Sequence, residues 1–342
     1  MELESPLEPH RGRDTAPLAA TPTPRYRMVV SDIDGTLLNS ESEVTDAVRA
    51  AVAEARRAGV IFTLATGRRY ATTEKILREL DLLPDGAPLD LDGLARDSRA
   101  AQALMSPPIV LQTGAVVVSA DGHQLLFRDP IAHEDAKYVL RVLLSAGLQP
   151  ILYEDRIPHQ RLYTGPEEFD SPGARQYLSN NPHLVVRVPY DELIVEGDQL
   201  QIVVVDRREA LEPVMPRLEF AHCRTLLSYS GALDSCFMEV FHKGCTKRRA
   251  VKRLAQHLGF GIEDTVCIGD NWNDIEMLAG AGCGVAVANA EPGVSPFARR
   301  ITVSNDEDAV AVVLRDILAG REPGQANPAY GHGPVAAQIV AD

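Results

Sequence analysis

The chain has 342 residues, 45% of them hydrophobic and 24% charged, and its formal net charge is -14. That length allows about two domains with real cores, and the acidic balance argues against nucleic acid or an anionic membrane as the main partner, since both need a basic face. No stretch approaches the roughly 18 apolar residues of a membrane span, and Cys223, Cys236, Cys245, Cys267 and Cys283 form no C-x-x-C pair, which suits buried thiols in a reducing, cytoplasmic compartment.

Residues 1–25 mix charge with proline and lack a continuous apolar segment, so they predict a disordered leader rather than a secretory signal. The apolar run Met28-Val29-Val30 predicts a strand. Ala47, Val48, Ala51, Val52 and Ala55 then give a helical stripe that Gly59 ends. Val60 to Ala65 is almost continuously apolar, as a parallel strand buried on both faces should be, and the pattern is a βαβ beginning. A helix over about Tyr70 to Leu80 leads into residues 84–108, where glycine, proline and aspartate without clear pattern predict a surface insertion.

After a short strand at Ile109 to Gln112, Val116-Val117-Val118 and Leu125-Leu126-Phe127 flank Asp121-Gly122, a strong hairpin signal. A helix from His133 to Ser145 follows, then strand-like runs near Ile151, Leu162, Val185 and Ile202, and a helix around Ala210 to Leu218. From about Phe237 the alternation resumes: strand to Val240, helix Lys247 to Leu258, strand Thr265 to Ile268, helix Asp274 to Ala279, strand Gly284 to Val287, and a closing helix from Glu307. The expected organisation is an α/β core with a parallel sheet (26–117 and 229–320), interrupted by an α+β module (118–228). A flexible tail (321–342) follows.

Four segments carry chemistry. Asp32 and Asp34, spaced i, i+2 at a strand end, share a face, so their repulsion must be offset by a hard cation or a held proton; a plain polar turn is the alternative. Thr66-Gly67-Arg68 closes the second strand and opens a helix, which makes either an anion seat or an ordinary capped turn. Lys247 opens a helix behind the N-cap candidate Thr246, where a cation opposes the macrodipole unless it faces an anion. Asp270 leaves a strand tip while Asn273 and Asp274 lie in a first helical turn, so their oxygens can converge on Mg2+ or serve as caps. Trp272, between them, reads as packing.

The order DIDGTLL, ATGR, a lysine opening a helix, then GDNWNDIEML followed by GVAVANA resembles the haloacid dehalogenase superfamily, and within it the Cof-type phosphatases. The resemblance covers most of Tyr26 to Leu318. It implies a Rossmann-like core with an inserted cap domain, Asp32 as nucleophile and Asp34 as general acid and base. It also implies Thr66, Gly67 and Lys247 around the phosphoryl group, and Mg2+ held by Asp32, the Asp34 main-chain carbonyl, Asp270 and Asp274, supported by Asn273. Arg68, Thr113, Gly114 and Asn273 become substrate-side candidates, and Asn289 a structural one. Where the family has Asn-Gly-Ala after the third strand this chain has Gln112-Thr113-Gly114-Ala115, so an amide is replaced by a hydroxyl.

The expected function is Mg2+-dependent hydrolysis of a small phosphorylated metabolite, a sugar phosphate or cofactor phosphate, through an aspartyl-phosphate, by a monomer or homodimer. A phosphomutase using the same intermediate would instead isomerise its substrate and respond to a bisphosphate activator. A non-catalytic ligand-binding or regulatory protein on the same scaffold would bind phosphate analogues without turnover. Tyr153, His159 and Arg161 are polar candidates for the cap's side of the substrate pocket.

Overall fold

The computed structural model describes residues 25–83, 98–154, 156–193, 199–219, 222–332 and 339. The expected leader as far as residue 24, the first part of the insertion (84–97) and residues 333–338 and 340–342 of the tail lie outside them.

The central sheet has six strands in the order β15-β14-β13-β12-β1-β2. These are Gln325–Ala326, Arg300–Ile301, Cys283–Ala286, Thr265–Gly269, Met28–Ser31 and Ile61–Leu64, all parallel except β15. β1, β2, β12 and β13 are buried along their whole length, which explains their nearly unbroken apolar runs. α1 (Asp46–Arg57) is capped by the Thr45 side chain and buries Val48, Ala51, Val52 and Ala55, packing beside α10 (Ala309–Leu318).

The expected insertion is not unpatterned throughout. Arg99–Met105 forms α3, with Ala101, Ala103 and Leu104 buried. Buried Arg56 donates to the carbonyls of Leu104 and Met105, both at 2.9 Å, satisfying acceptors that the end of the helix leaves open. The tail is likewise packed at its start: β15 pairs with β14, and the Asn327 amide donates to the Ser295 and Ala298 carbonyls.

The third strand, β3 (Ile109–Leu111), joins β4 (Val116–Val118) and β5 (Leu125–Arg128) in a small antiparallel sheet. Its buried residues pack into the same apolar clusters as β1 and β2. A second six-stranded sheet has the order β10-β11-β9-β6-β7-β8, that is Cys223–Ser230, Ser235–His242, Ile202–Asp206, Ile151–Tyr153, Leu162–Thr164 and Val185–Arg187. α4 (His133–Ser145), α6 (Arg208–Leu211) and α7 (Met215–Leu218) bury Val139, Leu143, Leu211 and Leu218 against Ile202, Val204, Met238 and Val240 on one face. α5 (Pro172–Ser179) covers only part of the other face.

The expected module limits of 118 and 228 therefore shift. Residues 116–128 belong beside the core, and the strand expected to restart the core at Phe237 is β11, paired antiparallel with β9 and β10. No helix among the described residues is long and apolar enough to cross a membrane.

Candidate active site

Because β1 is flanked by β2 and β12, the residues that follow these three strands emerge side by side at their carboxyl ends, the crevice where open α/β sheets bind ligands. Asp32 follows β1, Thr66 follows β2 and Asp270 follows β12. The fourth contributor, Lys247, begins α8 (Lys247–His257), which the Thr246 hydroxyl caps.

Lys247 is fully buried, and its Nζ donates to Asp32 Oδ1 at 2.5 Å and to Asp274 Oδ1 at 2.7 Å. Asp274 Oδ2 accepts from the backbone N–H groups of Asp270 and Asn271, which locks the β12 loop around it. The Thr36 hydroxyl donates to Asp270 Oδ1 at 2.8 Å. The acidic residues Asp32, Asp270 and Asp274 each offer an oxygen within 4.8 Å of the others.

Burial, with Asp274 and Asp270 close by, raises Asp32 well above the ordinary carboxylate range despite Lys247. Burial and Asp274 push Asp270 up to about 7. Burial works against the Lys247 charge, but Asp274 and Asp32 outweigh it and hold the ammonium above the usual lysine range. With every group ionised, three carboxylates and one ammonium carry a formal charge of two minus, and the three carboxylates are an oxygen donor set that fits a divalent hard cation.

The expected site residues divide. Asp32, Asp34, Thr66, Gly67, Arg68 and Asn273 line one cavity of about 610 Å³. Asp34 is largely exposed, and both of its oxygens are held by Arg68, from Nε at 2.8 Å and Nη2 at 2.5 Å. The Thr66 hydroxyl accepts from the Arg68 N–H. Thr113 and Gly114 lie outside the cavity lining. Thr113 Oγ1 is buried without a partner, as is Asn273 Oδ1. Gly114, at φ +99°, permits close passage of the Thr246 carbonyl, which a Cβ would overlap, so its role is to let α8 and Lys247 approach. Asn289, expected to be structural, donates to the Gly35 carbonyl and accepts from the Asn305 N–H. Trp272, expected to pack, is 56% exposed.

Of the three cap candidates only Tyr153 reaches this cavity. His159 and Arg161 line a separate one of about 570 Å³ with Glu154 and Leu125. Sequence reasoning missed the rest of the second sheet's contribution: Gln201, Ser228, Ser230, Phe237 and Glu239 project from the face that α5 leaves uncovered. Three amides hydrogen-bonded in series lead to the acid. Gln160 Nε2 donates to Gln112 Oε1, Gln112 Nε2 to Gln201 Oε1 and Gln201 Nε2 to Glu239 Oε1, at 3.1, 2.8 and 2.6 Å. The series ties the loop after β3 to the second sheet.

Burial pushes Glu239 from 4.5 up to about 7, against the opposing effects of Gln201 and Lys247. The folded state thus keeps a proton that the unfolded chain has already released, so stability falls as pH rises between those values and then levels off. Glu239→Gln should raise unfolding stability by about 1–3 kcal/mol above pH 7 and by little below about pH 4.5, as urea titrations at the two extremes would record.

A family model described as haloacid dehalogenase-like hydrolase matches residues 29–314. The chain is 26% identical to phosphatase YwpJ of Bacillus subtilis over 85% of its own length and all of that protein. It is 27% identical to the HMP-PP phosphatase of Yersinia pseudotuberculosis, over 78% of this chain and 85% of the relative. A solved structure of a haloacid dehalogenase-superfamily phosphatase from Bacteroides thetaiotaomicron superposes with a TM-score of 0.66 at 20% identity, covering 90% of this chain and 99% of the other.

Proposed function

The chain belongs to the haloacid dehalogenase-like hydrolases, and from that premise we propose that it is a Mg2+-dependent phosphatase acting on a small phosphorylated metabolite through an aspartyl-phosphate on Asp32. The observation that carries the reading is the Lys247 ammonium buried between Asp32 and Asp274, with Asp270 beside them, and Asp32 of that cluster lining a metabolite-sized cavity. The two relatives whose names state a phosphatase activity support the same class.

Asp32, Asp270 and Asp274, with the Asp34 carbonyl, would hold the cation, which when bound supplies a Lewis acid for the phosphoryl oxygens. Thr66, the Gly67 backbone and Lys247 would seat those oxygens. Lys247 holds Asp32 Oδ1, which leaves Oδ2 to form the bond to phosphorus. As the bond to the leaving oxygen breaks, the Asp34 carboxyl gives that oxygen its proton. Asp34 must first exchange Arg68 for the leaving group, since both of its oxygens are engaged. A water then attacks phosphorus, its proton passes to Asp34, and the bond to Asp32 breaks to release inorganic phosphate.

The test is phosphate release across a panel of phosphorylated metabolites with Mg2+, expected to stop with a chelator and to return with added Mg2+. Turnover indifferent to chelation, or binding of phosphate analogues with no turnover of any panel member, would overturn the proposal.

A further inference from the structure

The substrate cavity holds an arginine with no ion-pair partner among the described residues. Arg69 is the N-cap residue of α2 (Tyr70–Glu79), is only 5% exposed and lines the cavity. Its neighbour Arg68 is paired with Asp34 in this structure. The Arg69 Nη2 donates to Asn181 Oδ1 at 3.1 Å, and the guanidinium carbon lies 5.4 Å from the centre of the Tyr153 ring. Nη1 is buried with no acceptor, and no carboxylate pairs with Arg69 among the described residues. A desolvated cation left with a neutral amide and a ring face is costly, and an anion delivered to it would recover that cost.

A second unmet donor stands beside it. The hydroxyls of Tyr153 and Tyr177 are 2.6 Å apart, so one hydrogen lies between them and the other has no acceptor among the described residues. Burial, then Tyr177, raises Tyr153 well above the ordinary tyrosine range, so its hydroxyl keeps its proton. Ser228 and Ser230 add hydroxyls to the same cavity. Tyr153 ends β6, Tyr177 lies in α5 and Asn181 follows that helix, so the two hydroxyls come from the second sheet's side of the cavity, across from the Asp32 cluster, where a leaving group would extend.

We propose that Arg69 and the Tyr153–Tyr177 hydroxyl pair receive a second anionic group, a carboxylate or another phosphoryl, carried by the leaving portion of the substrate. The planar guanidinium suits either group. This inference rests on the phosphatase reading above, and its substrate class is a phosphate ester with two anions.

Matched pairs test it on the full chain with Mg2+: 3-phosphoglycerate against glycerol 3-phosphate for a carboxylate, and fructose 1,6-bisphosphate against fructose 6-phosphate for a phosphoryl. In at least one pair the member with the second anion should show kcat/KM about tenfold higher or more. Arg69→Gln should bring that ratio near one, chiefly through KM. If Arg69→Gln does not fold, Arg69→Lys takes its place, keeping the charge but losing the fork, and the ratio must fall without vanishing. Wild-type ratios near one in both pairs, or a ratio that these substitutions leave at its wild-type value, would overturn the proposal. Calorimetric binding of the same pairs to Asp32→Asn, with and without Arg69→Gln, separates the two readings. Loss of all phosphate release by wild type defeats the catalytic reading alone, whereas a second anion that adds nothing to binding defeats this one.

Discussion

Asp32→Asn is expected to lower phosphate release by about four orders of magnitude or more, because it removes the atom proposed to bond to phosphorus and leaves only positioning and charge effects. The substitution is nearly isosteric, and Lys247 keeps Asp274 as its ion partner. It also removes one carboxylate from a cluster in which burial and neighbouring acids already oppose ionisation, so the fold should survive, with thermal stability equal to or above wild type when no divalent cation is added. Single-turnover phosphate release, together with rapid-quench mass spectrometry for a phosphoryl adduct on Asp32, checks both halves. Turnover near the wild-type rate in the variant would remove Asp32 from the nucleophile's role.

The carboxylate cluster was legible in the chain because its members follow buried strands whose apolar runs announce them, and neighbouring parallel strands bring their carboxyl ends together whatever lies between. The half of the cavity lined by the second sheet was not. Glu239 and Gln201 are 38 residues apart, and Gln201 and Gln112 are 89 apart, so their bonds exist only through the pairing of β11 with β9 and the docking of that sheet over the β3 loop. No local spacing encodes such a series.

The run Phe237 to Val240 read as a core strand because Phe237, Met238 and Val240 are apolar. Its antiparallel partner β10 carries the mixed pattern Leu227-Ser228-Tyr229-Ser230, which gives no strong strand signal, and the connection between them is longer than a two-residue turn. α3 escaped notice because seven residues span barely two turns, too few for a helical period to stand out. Its stability comes instead from tertiary contacts such as those of Arg56.

Lys247→Ala should be the most damaging substitution outside Asp32 itself. Removing the ammonium strips Asp32 and Asp274 of their shared counter-charge while both stay buried, a change that typically costs about 3–5 kcal/mol. It also takes away the cation proposed to face the phosphoryl oxygens, so kcat should fall by about 10²–10³ even where the protein remains folded. The cluster would carry three carboxylates with no internal cation, a formal charge of three minus against two minus in the wild type. Mg2+ should therefore stabilise the variant more than the wild type, since each degree of added thermal stability comes from binding the folded state alone. Melting curves with and without Mg2+ measure this directly: a larger Mg2+ shift in Lys247→Ala identifies Lys247 as the counter-ion of the site. Equal shifts in the two proteins would mean that its charge is balanced elsewhere and that its buried position serves packing.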